Sequence, residues 1–240
     1  MRIVTWNCNR GPAGRKLPRI ASLDPTITVL QECPRLGDDH ASSVWFGENP
    51  RQGIAVLASH GYRLSPAPIR EAPRYCFPVR VSGPSSFLLL AVWAKTDPQY
   101  EYVKAVIRAV DVYADMIVAE PTVLIGDFNS NAQWDHKRSS DKGHTALVRQ
   151  LGALRMVSAY HSFLKLEHGA EMHPTLYMLK KADRPYHIDY CFVPERWASH
   201  VRTVVVGTYD DWISFSDHCP LTVDINPENL SHHVLQEGLR

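Results

Sequence analysis

The sequence predicts an α/β fold in which two layers of mixed β-sheet pack face to face with helices on the outside. Three observations carry that expectation. Short apolar runs rich in β-branched and aromatic residues recur along the chain, each of strand length. Helical periodicity is confined to two or three segments, too few to alternate with the strands as in a βαβ fold. No Pro/Gly/Ser-rich linker divides the 240 residues, so residues 1–226 are expected to form one domain, followed by a loosely held tail over 227–240.

The elements follow in order. Strands are expected at 3–6, 27–30, 54–58, 75–81, 87–94, 122–125, 188–193, 201–206 and 221–225, where Val, Ile, Leu, Thr and aromatic residues cluster between polar stretches. A weak helix is expected over 15–23, with Pro18 starting it, because a proline in a helix interior removes a hydrogen bond. The strongest helix is expected over 100–119, where Val103, Val106, Ile107, Val110, Ala114 and Ile117 repeat at three and four and cover one face. Another is expected over 143–151. Residues 83–86, Gly-Pro-Ser-Ser, read as a hairpin turn.

Composition narrows the function. Hydrophobic residues make up 45% and charged residues 21%, enough to bury a core and too apolar for a disordered chain. Lys and Arg total 26 against 25 Asp and Glu, a net charge of +1 that excludes a polybasic, histone-like protein. The longest uninterrupted apolar run, 87–94, is far below the roughly 20 residues a membrane span needs. The opening residues lead straight into strand-like sequence without the pattern of a signal peptide. Cys8, Cys33, Cys76, Cys191 and Cys219 are odd in number, widely spaced and without a CxxC pair, so reduced, packed thiols are expected. A cytoplasmic protein with no membrane contact follows as the expectation, with a monomer favoured.

Polar residues gather where strands end or begin. Asn7, Glu32, and Asp127 with Asn129 follow expected strands, whereas Asp189 and the pair Asp217 and His218 stand where strands enter. In a mixed sheet the ends of one set of strands lie beside the starts of the other, so these groups can share one edge. Four clustered carboxylates repel one another unless a cation sits among them. A hard divalent ion such as Mg²⁺ or Mn²⁺ suits carboxylate and amide donors, and zinc suits them less well. A cation, a carboxylate base, amide donors and an imidazolium together suit phosphoester hydrolysis.

The strings RIVTWN at 2–7, VLQE at 29–32, GDFNSN at 126–131, HIDYCFVP at 187–194 and SDHCPL at 216–221 resemble those of the endonuclease/exonuclease/phosphatase superfamily, in its order. The exonuclease III branch is the most similar. The resemblance implies a four-layer α/β sandwich, as in deoxyribonuclease I, and divalent-metal-dependent cleavage of phosphoesters. It implies Glu32 as the principal Mg²⁺ ligand, with Mn²⁺ as a substitute, supported by Asn7 and with Asp217 sharing the metal. It implies Asp127 as the base or aligner of the attacking water, Asn129 holding that water and a phosphate oxygen, and His218 stabilising the transition state. Asp189 would orient the His218 ring, and Thr175 matches a loop position near the cleft.

Two positions depart from the family pattern. Asn9 stands where many family nucleases carry an acid, removing one charge from the metal environment. Trp93 stands where a His or Tyr is usual, and since indole accepts no proton, Lys95 two residues along the strand is the candidate to assist the leaving group. For substrate, the segment 133–142 carries Trp134, His136, Lys137, Arg138 and Lys142, and 177–186 carries Lys180, Lys181, Arg184 and Tyr186. Both flank the expected site and offer cationic and aromatic groups that grip a nucleic-acid backbone. The leading expectation is therefore a DNA nuclease of the exonuclease III or AP endonuclease type, associated with DNA repair, with Asn7, Trp93, Lys95, Trp134, Arg184 and Tyr186 on the substrate. The alternatives are a phosphatase or phosphodiesterase of a small soluble phosphoester, and a nucleic-acid-binding module weakened in catalysis.

Overall fold

The apolar run Phe87–Trp93 is buried throughout, and its side chains divide by parity. Phe87, Leu89, Ala91 and Trp93 enter one apolar cluster, while Leu88, Leu90 and Val92 enter another. A strand buried on both faces is the inner layer of a stack, because successive side chains point to opposite sides of a sheet. In this computed structural model, which describes residues 1–37, 42–73, 75–96, 101–137 and 142–226, that strand belongs to the second of two six-stranded mixed sheets.

The strands are β1 (Arg2–Asn7), β2 (Ile27–Cys33), β3 (Ser43–Asn49), β4 (Gln52–Ala58), β5 (Arg63–Pro66), β6 (Cys76–Ser82), β7 (Phe87–Trp93), β8 (Thr122–Asp127), β9 (Met156–Ser158), β10 (Leu176–Tyr177), β11 (Pro185–Tyr186), β12 (Asp189–Pro194), β13 (Val201–Val206) and β14 (Leu221–Ile225). The first sheet runs β13-β14-β1-β2-β4-β3 and the second β5-β6-β7-β8-β12-β9, with β10 and β11 forming a separate ribbon. Among the described residues, only β1 with β2 and β7 with β8 pair in parallel. Parallel neighbours need a crossover, and each has a helix in it: α1 (Lys16–Ala21) between β1 and β2, and α2 (Val103–Ala119) between β7 and β8. The remaining helices are α3 (His144–Ala153), α4 (Ala159–Leu164) and α5 (Tyr209–Trp212).

Between the sheets lie Ile3, Val29, Ile54, Leu89, Val123, Cys191 and Val223. On the outer face of the second sheet, α2 and α3 cover it with Val103, Val106, Val110, Tyr113, Leu147 and Leu151. On the outer face of the first sheet, Val4, Trp6 and Leu30 pack with Ile20 of α1 and Trp212. Helix, sheet, sheet, helix is the expected four-layer sandwich. Among the described residues no helix is long and apolar enough to cross a membrane. All five cysteines are buried and free.

Several expectations shift. Pro18 does not start α1 but is its third residue, after a 3-10 turn over Ala13–Arg15. The absent N–H falls in the first turn, where no intrahelical partner is needed. Helix α2 begins at Val103, and residue 100 lies outside the described residues, as do Arg138 and the expected tail over 227–240. Strands β3, β5 and β9 and helix α4 were not expected from the sequence. All three strands lie at sheet edges, where one side goes unpaired and the hydrophobic pattern weakens.

Candidate active site

Topology brings the polar residues together. Parallel pairing sets the C-terminal ends of β1 and β2 side by side, and likewise those of β7 and β8. Strands β12 and β14 run antiparallel to β8 and β1 and so start at the same edge. Asp189 pairs in register with Asp127, and Trp93 with Asp127 from the other side. Strand β1 packs across the sandwich on β8.

The turn after β8 holds Asp127 rigidly. Its Oδ1 accepts the Asn129 backbone N–H at 2.9 Å, and its Oδ2 accepts Asn7 Nδ2 at 2.9 Å and Asn129 Nδ2 at 3.1 Å. Asn129 also donates to the Ala94 carbonyl at 2.9 Å and adopts a φ of +46°, a conformation in which Asn is tolerated and which recurs at functional turns. Gly126 is required just before it. At a φ of +146° a Cβ there would lie 1.9 Å from the Val92 carbonyl oxygen, so no side chain fits between β7 and β8. Burial raises the Asp127 carboxyl to about 7 with Asp189 adding to the shift, against the opposing pull of His218, Asn7 and the Asn129 amide.

His218 faces it from the start of β14. Its Nδ1 lies 2.9 Å from Asp189 Oδ2, inside the protein. Burial works against the charged ring, yet Asp189, followed by Asp127 and Asp217, lifts it to about 9. The ring is therefore an imidazolium at neutral pH, with Nε2 left for a ligand. Its backbone is pinned on both sides: Trp6 Nε1 donates to the His218 carbonyl at 2.8 Å, and the His218 N–H donates to Ser216 Oγ at 3.0 Å. Ser216 Oγ in turn donates to the Asn7 carbonyl at 2.7 Å, tying the start of β14 to the end of β1.

Glu32 lies in a bulge of β2, where register shifts between Leu30 and Cys33 and its φ is +53°. Such bulges re-aim a side chain. Its carboxylate accepts Asn7 Nδ2 at 3.4 Å, Gln52 Nε2 at 3.3 Å and Arg10 Nε at 3.1 Å, and is 19% exposed.

Asp127, Asp189 and His218 each offer a ligand atom within 4.8 Å of the others. Glu32 stands beside this group, joined through Asn7. Asp189 Oδ1 is buried without a protein hydrogen-bond partner, a cost that a bound cation or polar ligand relieves. The carboxylates of Glu32, Asp127 and Asp189 make an oxygen donor set that fits a hard divalent cation, with Asn7 turning Nδ2 to Glu32 and Asp127 while its Oδ1 accepts the Asn9 N–H at 2.9 Å. Asp217 is not part of the group; its side-chain contact is with Ser216 Oγ at 3.5 Å.

The expected substrate groups separate. Trp93 is 3% exposed and belongs to the core between the sheets, because its parity on β7 points it inward. The indole lies beside Asp127, its register partner on β8. Lys95 lies over the rings of Trp93 and Tyr75, with Nζ 4.3 Å and 4.7 Å from their centroids. Burial draws its ammonium below the ordinary value, with Arg10 acting the same way and Glu32 against it. Trp134 and Tyr186 meet at 5.3 Å between ring centroids, joining the two expected substrate loops. Arg184 is exposed beside them.

Thr175, expected at a loop position near the cleft, supports the start of β12 from beneath. It is fully buried, and its Oγ1 accepts the N–H groups of Ile188 and Asp189, each at 3.0 Å. Trp6, Ser216, Arg10 and Gln52 were not identified from the sequence. The serine of SDH offered a signal, as hydroxyls commonly accept a backbone N–H two residues on; the other three contact the site only through tertiary approach.

No protein-family model matches the chain, and no curated protein matches it. Solved structures do. The 3'-5' exonuclease NExo from Neisseria meningitidis superposes with a TM-score of 0.68 at 19% identity, covering 94% of this chain and 100% of the other. The catalytic domain of APE2 from Xenopus laevis gives 0.67 at 16%, covering 94% and 91%. The endonuclease domain of TRAS1, a telomere-specific non-LTR retrotransposon, gives 0.67 at 16%, covering 95% and 98%. The chain thus has the fold of these nuclease domains over nearly its whole described length.

Proposed function

We propose that this chain is a divalent-metal-dependent phosphodiester hydrolase acting on DNA, a nuclease of the exonuclease III or AP endonuclease type. The observation that carries the reading is the convergence of Asp127, Asn7, Asn129 and the Asp189–His218 pair on one sheet edge with Glu32 beside them. The nuclease folds it matches support the same reading.

Glu32 and Asn7 are the residues that would hold Mg²⁺, or Mn²⁺ in its place. An ion held there would supply positive charge against the phosphate and the leaving oxygen. Ionised Asp127 aligns the attacking water and takes its proton as the water oxygen bonds to phosphorus. Asn129 holds the water and a non-bridging oxygen. The His218 imidazolium, kept charged and oriented by Asp189, meets the negative charge that builds on the phosphoryl oxygens. The bond to the leaving oxygen breaks, and Lys95 is the cationic candidate to stabilise or protonate it. Trp134, Tyr186 and Arg184 would grip the strand beyond the scissile bond, where stacking and charge suit a nucleic-acid backbone.

The experiment is incubation of the full chain with Mg²⁺, Mn²⁺ or EDTA and a panel of abasic-site duplex, single-stranded DNA, duplex with a 3'-phosphate, RNA and bis-p-nitrophenyl phosphate. Metal-dependent DNA cleavage is expected, falling about 10²–10⁴-fold in Asp127→Asn. Binding to DNA with no turnover under either metal would overturn the reading. A second reading has a specific support: one structural neighbour is described as a 3' phosphatase bound to a product DNA hairpin. Release of phosphate from the 3'-phosphate duplex without internal cleavage would select it. We further assign the chain to DNA repair in the cytoplasm, as a monomer; its five free, buried thiols suit a reducing compartment.

A further inference from the structure

Behind the active-site edge lies a second group of ligand-type side chains that the hydrolysis does not use. His161 of α4, with His168 and Glu171 from the following loop, each offer a ligand atom within 4.8 Å of the others. Their surroundings are organised as a metal site would be. His161 Nδ1 lies 2.8 Å from Ser158 Oγ, fixing the ring so that Nε2 points at Glu171 Oε1, 3.0 Å away. His168 Nδ1 lies 3.2 Å from His144 Nε2, and His144 Nδ1 lies 2.9 Å from Ser130 Oγ. Each candidate imidazole therefore has its Nδ1 held by a second group, which fixes the ring as histidine ligands are fixed, while His161 Nε2 is engaged by Glu171. Glu171 is held as well, by Asn131 Nδ2 at 3.1 Å and the Gly169 N–H at 3.0 Å. Beside the cluster His187, buried and packed edge-on to His161 at 6.3 Å between ring centroids, keeps a buried Nε2 with no hydrogen-bond partner.

We propose that His161, His168 and Glu171 form a Zn²⁺ site separate from the hydrolytic centre, with a structural role. Two imidazoles and one carboxylate suit zinc, whereas Mg²⁺ favours all-oxygen ligands. The rings of His161 and His168 are stacked with centroids 3.6 Å apart, and zinc binding would require them to tilt so that one nitrogen of each reaches the about 2.0–2.1 Å of a zinc–imidazole bond. His168 and Glu171 are only partly buried, which gives the ion a way in. The consequence reaches the active site, since Asn131, bonded to Glu171, also donates to the His187 carbonyl at 2.9 Å. Asn131 lies two residues after Asn129, and His187 two before Asp189, so a bound ion braces both catalytic segments.

The test uses the metal alone. The full chain, stripped with chelator, is titrated with Zn²⁺ and separately with Co²⁺, whose visible absorption reports nitrogen and oxygen coordination. One equivalent of Zn²⁺ is expected to bind and raise Tm, with affinity lowered at least 10-fold in His168→Gln and in Glu171→Gln but unchanged in Glu32→Gln. His168→Gln alters a partly exposed residue, and its fold is checked by circular dichroism before titration; Glu171→Gln is the second, isosteric variant. The proposal is overturned if the wild-type chain binds no Zn²⁺ at 10-fold excess, or if Glu32→Gln abolishes binding that His168→Gln and Glu171→Gln leave intact.

Discussion

At the scale of single residues, the Asp189–His218 pair makes the protein sensitive to pH in a definite direction. The His218 ring titrates at about 9 in the folded chain against an ordinary 6.5. Its ion pair therefore stabilises the fold fully below about pH 6.5 and is lost as pH rises through about 9. The loss is on the order of 2–3 kcal/mol, measured as a fall in urea-unfolding free energy of the metal-free chain between pH 6 and 10. In His218→Gln that slope flattens. Asp127, raised by burial first and Asp189 second to about 7, acts in a lower window. Its protonated form favours the fold below about pH 4, and that contribution disappears as pH passes about 7. The same two groups shape the rate. Activity is expected to rise as Asp127 ionises and fall as His218 deprotonates, with a cation at Glu32 moving the acid limb lower; a flat profile from pH 6 to 10 contradicts these roles.

Thr175 tests positioning rather than chemistry. Thr175→Val removes the acceptor of two buried N–H groups, a cost of about 1–3 kcal/mol, and loosens the start of β12 where Asp189 sits. A lower kcat with little change in KM is expected, together with a downward shift of the His218 limb in the pH profile. A purely structural role would leave that limb in place.

At the scale of elements, parity and close approach explain why some strands were readable and others were not. Strands β1, β2, β7, β8, β12 and β14 lie inside their sheets, paired on both sides, and their side chains read as continuous apolar runs. Edge strands β3, β5 and β9 carry weaker patterns because their burial comes from a single neighbouring strand or loop. The same parity argument applies to Trp93: its position in the strand was legible, but which face meets the other sheet depends on the partner. Gly126→Ala is the sharpest element-scale prediction. Its Cβ overlaps the Val92 carbonyl at 1.9 Å, so the parallel β7–β8 pairing must open, at a cost of about 3 kcal/mol or more. Thermal unfolding should register it, whereas Gly152→Ala in α3, with nothing within 4 Å of the added Cβ, should be neutral or slightly stabilising.

At the scale of the whole molecule, the net charge of +1 hides a division of charge. Acidic groups are drawn into the site, and cationic residues such as Lys181 and Arg184 stand exposed on a loop that leads to Tyr186 and its contact with Trp134. DNA attraction must then come from local placement. The expected result is a shallow dependence of affinity on salt, reduced by about one unit of slope for each of Lys181→Ala and Arg184→Ala if each meets one phosphate. Filter binding from 50 to 200 mM salt measures it.

The layer order and the two inner sheets were legible in the chain, and so was the standing of Asn7, Glu32, Asp127, Asn129, Asp189 and His218 at strand ends, because local apolar patterning and short motifs carry those features. Only the tertiary structure decided which of them touch. It put Thr175 beneath Asp189, turned Trp93 into the core, left Asp217 outside the group, and assembled His161, His168 and Glu171 into a second cluster. The site at the sheet edge rests on strand pairing between residues far apart in the chain, such as Asp127 with Asp189, whereas the second cluster rests on how the loop after α4 folds back on it. No local pattern encodes the distance between two side chains that only the sheet brings together.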